Sequence, residues 1–301
     1  MKRFLAALTG YGPNLLAFAA FLGLAWPQLA ELAAPAMPAA IFLLILGSLL
    51  RVKAGQFCQV LRRPIAGLGL PLLSMLPCPF LVGCVAQLMG LSPEVVLALV
   101  LSTAAPPSIG NAAVARMLKL DDALALVATM SAMALAPLTV PLAGIFFGGL
   151  ALDPLALALR LLILVGGAAC LALPLRRYAA DTIERQAAWL DALLLTALLV
   201  FALSAMVGLQ ARLVAEPLMV LAMVALAFGV NLTFQGLGAL FLPGSVAQRG
   251  TGALLLGNRN VGLVWSALGA TISPTTALYF AATQLPVYTL PRLLQAILTR
   301  R

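Results

Sequence analysis

Charge-poor apolar runs long enough to cross a lipid bilayer recur along the whole chain, and this constrains the fold more than any other feature. They fall near 12–29, 37–50, 65–89, 93–117, 121–147, 155–175, 189–209, 214–234, 246–270 and 275–297. A helix needs roughly 20 residues to cross a hydrocarbon core about 30 Å thick. The second run is short and is expected to extend back into Ala33–Pro38. Only helices and closed barrels satisfy their backbone groups in lipid, and runs of this length are helices. The expected fold is therefore an all-α integral membrane protein with ten transmembrane helices. Composition agrees: 63% of residues are hydrophobic and 9% charged, where soluble domains run at about 45–50% and about 25%. Loop chemistry is expected at Arg51–Arg63, Gly148–Pro154 and Arg176–Arg185.

Basic residues orient the chain. With the N-terminus in the cytoplasm, 15 of the 18 Lys and Arg residues lie on the inside, from Lys2 and Arg3 to Arg300 and Arg301. Arg160 and Arg212 lie outside and Arg259 falls within a span. This asymmetry predicts a multi-pass protein of the inner (plasma) membrane with both termini cytoplasmic. Basic loops facing an anionic leaflet account for the net charge of +9 without a nucleic-acid partner. Met1–Trp26 has the outline of a signal peptide, but cleavage would break the charge alternation, so the segment is read as a retained first span. With no His, and with Cys58, Cys78, Cys84 and Cys170 at unrelated spacings, imidazole–metal catalysis, Ser/His/Asp triads and zinc clusters are disfavoured. No cofactor is expected, and the cysteines read as small buried hydrophobes.

Ten spans divide into halves of five, residues 1–150 and 151–301, and an odd number per half inserts them upside down relative to each other. Two interruptions support this inverted repeat. The fourth span carries Pro106-Pro107-Ser108-Ile109-Gly110-Asn111, and the ninth carries Gly257-Asn258-Arg259-Asn260-Val261-Gly262. Paired prolines remove backbone donors, and Gly with Asn favours unwinding, so neither stretch survives as plain helix. In each half a proline follows the Asn by 26 residues: Asn111 to Pro137, Asn260 to Pro286.

A helix interrupted within the membrane ends twice there, offering carbonyls before the break and N–H groups after it. Arg259 is costly at this depth, by about 2.5–3.5 kcal/mol on insertion scales, so it must face partners. Two roles are open to it: its planar fork binds a carboxylate, sulfate or similar anion, or it ties the carbonyls of span four and never meets substrate. Asn111, Asn258 and Asn260 read as site amides or as staples holding the breaks open. Ser108, Thr129 and Ser131 are weaker candidates, because hydroxyls often bond back to their own helix. Gln284, Asn231 and Ser74 also lie at membrane depth. The acids Asp121, Asp122 and Asp191 fall near span ends.

This pattern resembles the bile acid:sodium symporter family. The resemblance rests on Pro106…Gly110-Asn111-Ala112…Thr129…Ala136-Pro137 and on Arg259-Asn260-Val261-Gly262-Leu263, within 106–141 and 252–268; elsewhere it rests on topology. It implies a panel domain (spans 1, 2, 6 and 7) and a core domain (spans 3–5 and 8–10), with crossed breaks in spans four and nine. It also implies a cleft between the two domains that admits substrate. Sodium-coupled members hold two sodium ions behind the crossing with an acid, a Gln and several hydroxyl and amide oxygens. On this alignment the acid becomes Leu255, the Gln becomes Arg259, the Ser-Asn pair becomes Asn111-Ala112, and Thr129 alone is kept among the span-five hydroxyls. Exchanging a carboxylate for a guanidinium degrades the sodium sites.

The expected function is secondary transport of small or amphipathic organic anions by alternating access, independent of sodium, with Arg259 standing where a sodium ion would. Sodium- or proton-coupled symport on the same fold is the alternative. A membrane enzyme would need clustered acids, His or Cys at depth, and a channel would need a continuous polar stripe. Carboxylates, sulfonates and steroid-like anions all remain open as substrates, and the sequence is silent on oligomeric state.

Overall fold

The structure, a computed structural model, describes residues 12–51, 65–148 and 152–298. Most of the expected basic loop Arg51–Arg63, the core of the expected loop Gly148–Pro154, and the basic residues at both chain ends lie outside the described residues. Among the described residues, regular structure is helical apart from a single isolated β-bridge. Six helices among the described residues are long and apolar enough to cross a membrane: Pro27–Arg51, Gly67–Leu88, Asp122–Phe147, Pro154–Arg185, Ala187–Ala215 and Pro217–Phe241. Their outward faces carry large apolar side chains, among them Leu32, Ile163, Leu173, Leu218 and Leu240. Such a surface needs a lipid solvent. The chain is a membrane protein.

Helix boundaries depart from the expected spans in places. The second helix begins at Pro27, running through a 3₁₀ turn at Ala34–Ala36, and so reaches back farther than Ala33. The expected loop Arg176–Arg185 is instead helix, the end of Pro154–Arg185, with one irregular residue at Ala179 (φ −130°, ψ 23°). Charge did not signal a loop here: Arg, Glu and Ala are strong helix formers, and a helix continues into water as readily as it ends at the interface. Pro137, Pro141, Pro286 and Pro291 all lie inside continuous helices.

The chain forms two compact units, one from Met1–Val52 with Ile163–Leu218 and the other from Lys53–Leu162 with Met219–Arg301. In the first, Ala187–Ser204 packs on Gly12–Ala25, Pro27–Ala33 and Met37–Arg51. Arg51 pairs with Asp191 there, at the end of one helix and near the start of another. In the second unit, Asp122–Phe147 is the central post, touching Pro93–Ala104, Asn111–Met117, Leu70–Met75 and Val246–Gly257. Close backbone approach is required at Gly238, where an added Cβ would lie 2.7 Å from the Cα of Ala253. Only glycine lets Pro217–Phe241 and Val246–Gly257 meet this tightly.

Candidate functional site: two helix breaks and a buried guanidinium

Both expected interruptions exist, and they pair with each other. Pro93–Ala104 stops before Pro106-Pro107, and helix resumes at Asn111. Ala105, which precedes a proline, is extended (φ −57°, ψ 143°), as the clash with the proline ring requires. Val246–Gly257 stops before Asn258 and resumes at Val261. Between the stops, Pro107 and Arg259 form an antiparallel bridge. Its bonds run from Ser108 N–H to the Asn258 carbonyl (2.8 Å) and from Asn260 N–H to the Pro106 carbonyl (2.7 Å). The prolines thus stop the helix at no loss to this pairing, since the flanking residues supply both donors.

Every helix that stops inside a protein leaves carbonyls without partners, and here side chains meet them. Arg259 Nε donates to the Leu256 carbonyl at 2.9 Å, and Nη1 to the Ala105 carbonyl at 3.4 Å. Asn231 Nδ2 donates to the Gly257 carbonyl at 2.9 Å. Asn111 Nδ2 reaches the Leu254 and Asn258 carbonyls at 3.4 and 3.3 Å. Gln235 holds the Asn231 amide from one turn along its helix, donating to Oδ1 at 2.6 Å, and also reaches Asn258 Oδ1 at 3.5 Å. One cation and two amides, with Gln235 bracing one of them, therefore bind the carbonyl ends of two half-helices that converge on the guanidinium. A positive charge is favoured at such ends. On the far side, Arg160 Nη1 caps Val261–Leu268 through the Ala267 and Leu268 carbonyls at 3.2 and 3.1 Å.

Arg259 is 6% exposed, and its Nη2 has no hydrogen-bond partner. The side chain beside it is the Cys78 thiol, a contact that the reading of the cysteines as inert fillers missed. A cavity of about 20 Å³ adjoins the guanidinium, lined among others by Ser102, Thr103, Asn231, Tyr279 and Thr283. A larger hollow of about 420 Å³ lies elsewhere in the same unit, between Met75, Leu76, Pro77, Phe80, Leu142, Ala143 and Phe146, and is apolar.

The expected site residues thus separate into groups. Asn111, Asn258 and Arg259 come together. Ser108 contributes its backbone N–H. Asn260 supplies its own N–H, while its Nδ2 is buried and unpartnered. Thr129 is buried with an unpartnered hydroxyl. Near it in sequence, Ala128 packs with Leu70 and Leu255 in a wholly apolar cluster, so Leu255, where the resemblance would put an acid, lies among hydrocarbon. Ser131 is half-buried and joins no part of this network. Gln284 turns back on its own helix, donating to the Phe280 carbonyl at 3.3 Å, and its neighbour Thr283 lines the cavity instead. Gln235 and Tyr279 were missed. Gln235 had a readable signal, an amide four residues after Asn231 on an otherwise apolar helix; Tyr279 had none, since an aromatic residue in a membrane run reads as core.

Compared with known proteins, the chain matches no family model and no curated protein.

Proposed function

We propose that the chain is a secondary carrier of small or amphipathic organic anions that works without sodium, on the ten-helix, inverted-repeat plan of the bile acid:sodium symporters. The observation that carries this reading is the paired interruption at Pro107 and Arg259, with a guanidinium seated where two carbonyl-ended half-helices converge. Broken helices at membrane depth are typical of secondary carriers, and unwound backbone is tolerated there only where it is buried in protein or lines a water-filled cavity. The division into two units supports the reading: the first holds expected spans 1, 2 and 7 and the larger part of span 6, and the second holds spans 3–5, 9 and 10 and the larger part of span 8. In this reading the first unit is the panel, the second is the core, and both termini lie in the cytoplasm.

The guanidinium takes the part of the coupling cation. A sodium ion would need oxygen ligands at the crossing; here the carbonyls of Leu256 and Ala105 already accept from Arg259. A covalently attached cation cannot leave, so the crossing stays charged and assembled through the transport cycle. Of the two roles open to Arg259, the geometry favours bracing, with two nitrogens committed to backbone. The adjoining cavity of about 20 Å³ is too small for an organic anion, so transported substrate binds elsewhere.

The test is uptake by proteoliposomes loaded with candidate organic anions, with and without an inward sodium gradient, together with counterflow. Saturable uptake with trans-stimulation and no response to sodium is expected. Strong stimulation by the sodium gradient would refute the substitution of guanidinium for metal, and flux without trans-stimulation would refute a carrier.

A further inference from the structure

In the second unit the third expected span runs alongside Asp122–Phe147, and both carry prolines. Pro77 divides the third span into Leu70–Met75 and Pro77–Leu88, with Leu76 between them off ideal helix geometry (φ −112°, ψ −71°). Pro141 lies inside Asp122–Phe147. A proline within a helix removes a backbone bond and bends the rod. These two helices touch at two levels. At one, the Thr139 hydroxyl faces Met75 Sδ at 3.8 Å. At the other, Phe80 packs edge-on against Phe146 and Phe147, with ring centroids 5.1 and 5.3 Å apart. Gly83 makes room there, since a Cβ on it would overlap the Phe147 ring. The levels are about 10 Å apart along the helix axis, and the apolar hollow of about 420 Å³ lies between them.

Every side chain lining this hollow is apolar, and its rim is open, with Phe80 and Leu142 each 43% exposed and Phe146 58%. Leu72, Leu73, Leu81, Leu138 and Ile145 on the same two helices are exposed as well. The hollow is thus continuous with the apolar surface that the bilayer covers. Its volume falls in the range of small-molecule sites, about 300–1,000 Å³. Water finds no polar partner in such a space, and an empty space costs its walls their dispersion contacts. Hydrocarbon restores those contacts. A second copy of the chain would need a free apolar knob beside the groove to fill its twin. The rings at the rim are not free, because Phe80 and Phe146 pack on each other.

We infer that one acyl chain of a membrane lipid lodges in this hollow and completes the folded second unit. The walls recognise the chain alone, so lipids of different head-group charge bind alike. The site rests on the chain being a membrane protein and not on its carrying organic anions.

The experiment combines native mass spectrometry of the purified full chain with thermal unfolding after detergent has stripped its lipid. The parent should retain one lipid per chain. Its midpoint should rise saturably with added dipalmitoyl phosphatidylcholine, as with any ligand that binds only the folded state, and equally with dipalmitoyl phosphatidylglycerol. Ala143→Leu places its extra carbons in the hollow and displaces about two chain methylenes, so it should weaken retention by about tenfold. Leu142→Phe, at an exposed position on the rim, fills the same space if Ala143→Leu does not fold. A parent chain that keeps no lipid, or filled variants that respond to lipid as the parent does, would overturn the site. So would a response to phosphatidylglycerol alone, which would assign the binding to basic side chains, or a lipid-free dimer, which would make the occupant a second copy.

Discussion

Replacing Arg259 by methionine opposes two large effects whose difference the structure allows to be worked out. Methionine keeps the unbranched stem but removes the charge and its donors. The Leu256 carbonyl loses a 2.9 Å bond and the Ala105 carbonyl a 3.4 Å bond. Hydrogen bonds from charged donors contribute about 1.5–3 kcal/mol each, with the longer one at the low end, so the loss is about 3–5 kcal/mol. Against this, the variant no longer buries a guanidinium, a relief of about 2.5–3.5 kcal/mol on insertion scales. The net effect is therefore small, from about −0.5 to about 2.5 kcal/mol of destabilisation. Thermal melting in detergent should place Arg259→Met close to the parent chain. Asn231→Ala removes a neutral side chain, with no charge-burial relief. It leaves the Gly257 carbonyl and the Gln235 amide short of partners and opens a void, costing about 2–4 kcal/mol. The uncharged position should thus be the more damaging to stability, while Arg259→Met should be folded and without anion uptake. A methionine chain that melts far below Asn231→Ala would show that the burial cost has been misjudged. A methionine chain that takes up substrate at the parental rate would remove the guanidinium from the mechanism.

Gly238→Ala should separate two helices, because the new methyl meets the Ala253 backbone at 2.7 Å; a loss of about 1–3 kcal/mol is expected, read as a lower melting midpoint. Thr129→Val should be neutral or mildly stabilising, since the buried hydroxyl has no partner to lose, and uptake should be unchanged. A sharp loss of uptake in this variant would point to an ion held at Thr129. Removing Arg160 as Arg160→Leu should uncap Val261–Leu268 by stripping donors from the Ala267 and Leu268 carbonyls. This should show as faster amide hydrogen exchange confined to that half-helix, and unchanged exchange there would refute the capping role.

The sequence by itself determined the solvent, because the burial of so much apolar surface is a property of composition that no arrangement can reverse. It also determined where two helices must stop. Pro106-Pro107 and the Gly257–Gly262 stretch forbid continuous helix through local sterics and missing donors, whatever surrounds them. Helix ends in polar stretches were less legible. Arg176–Arg185 reads as loop by charge, yet these residues also favour helix, and only packing and the water boundary decide between the two. The site was half visible. Asn111, Asn258 and Arg259 stood out because amides and charges are costly in lipid, so their presence at depth demands partners. Which partners they find is a matter of three-dimensional placement. Nothing local says that Nη1 reaches the Ala105 carbonyl, that Asn111 reaches the Leu254 and Asn258 carbonyls, or that Leu255 sits among hydrocarbon with Leu70 and Ala128. Those are consequences of segments more than a hundred residues apart meeting at one depth, and interactions of that range depend on distances that sequence spacing does not encode.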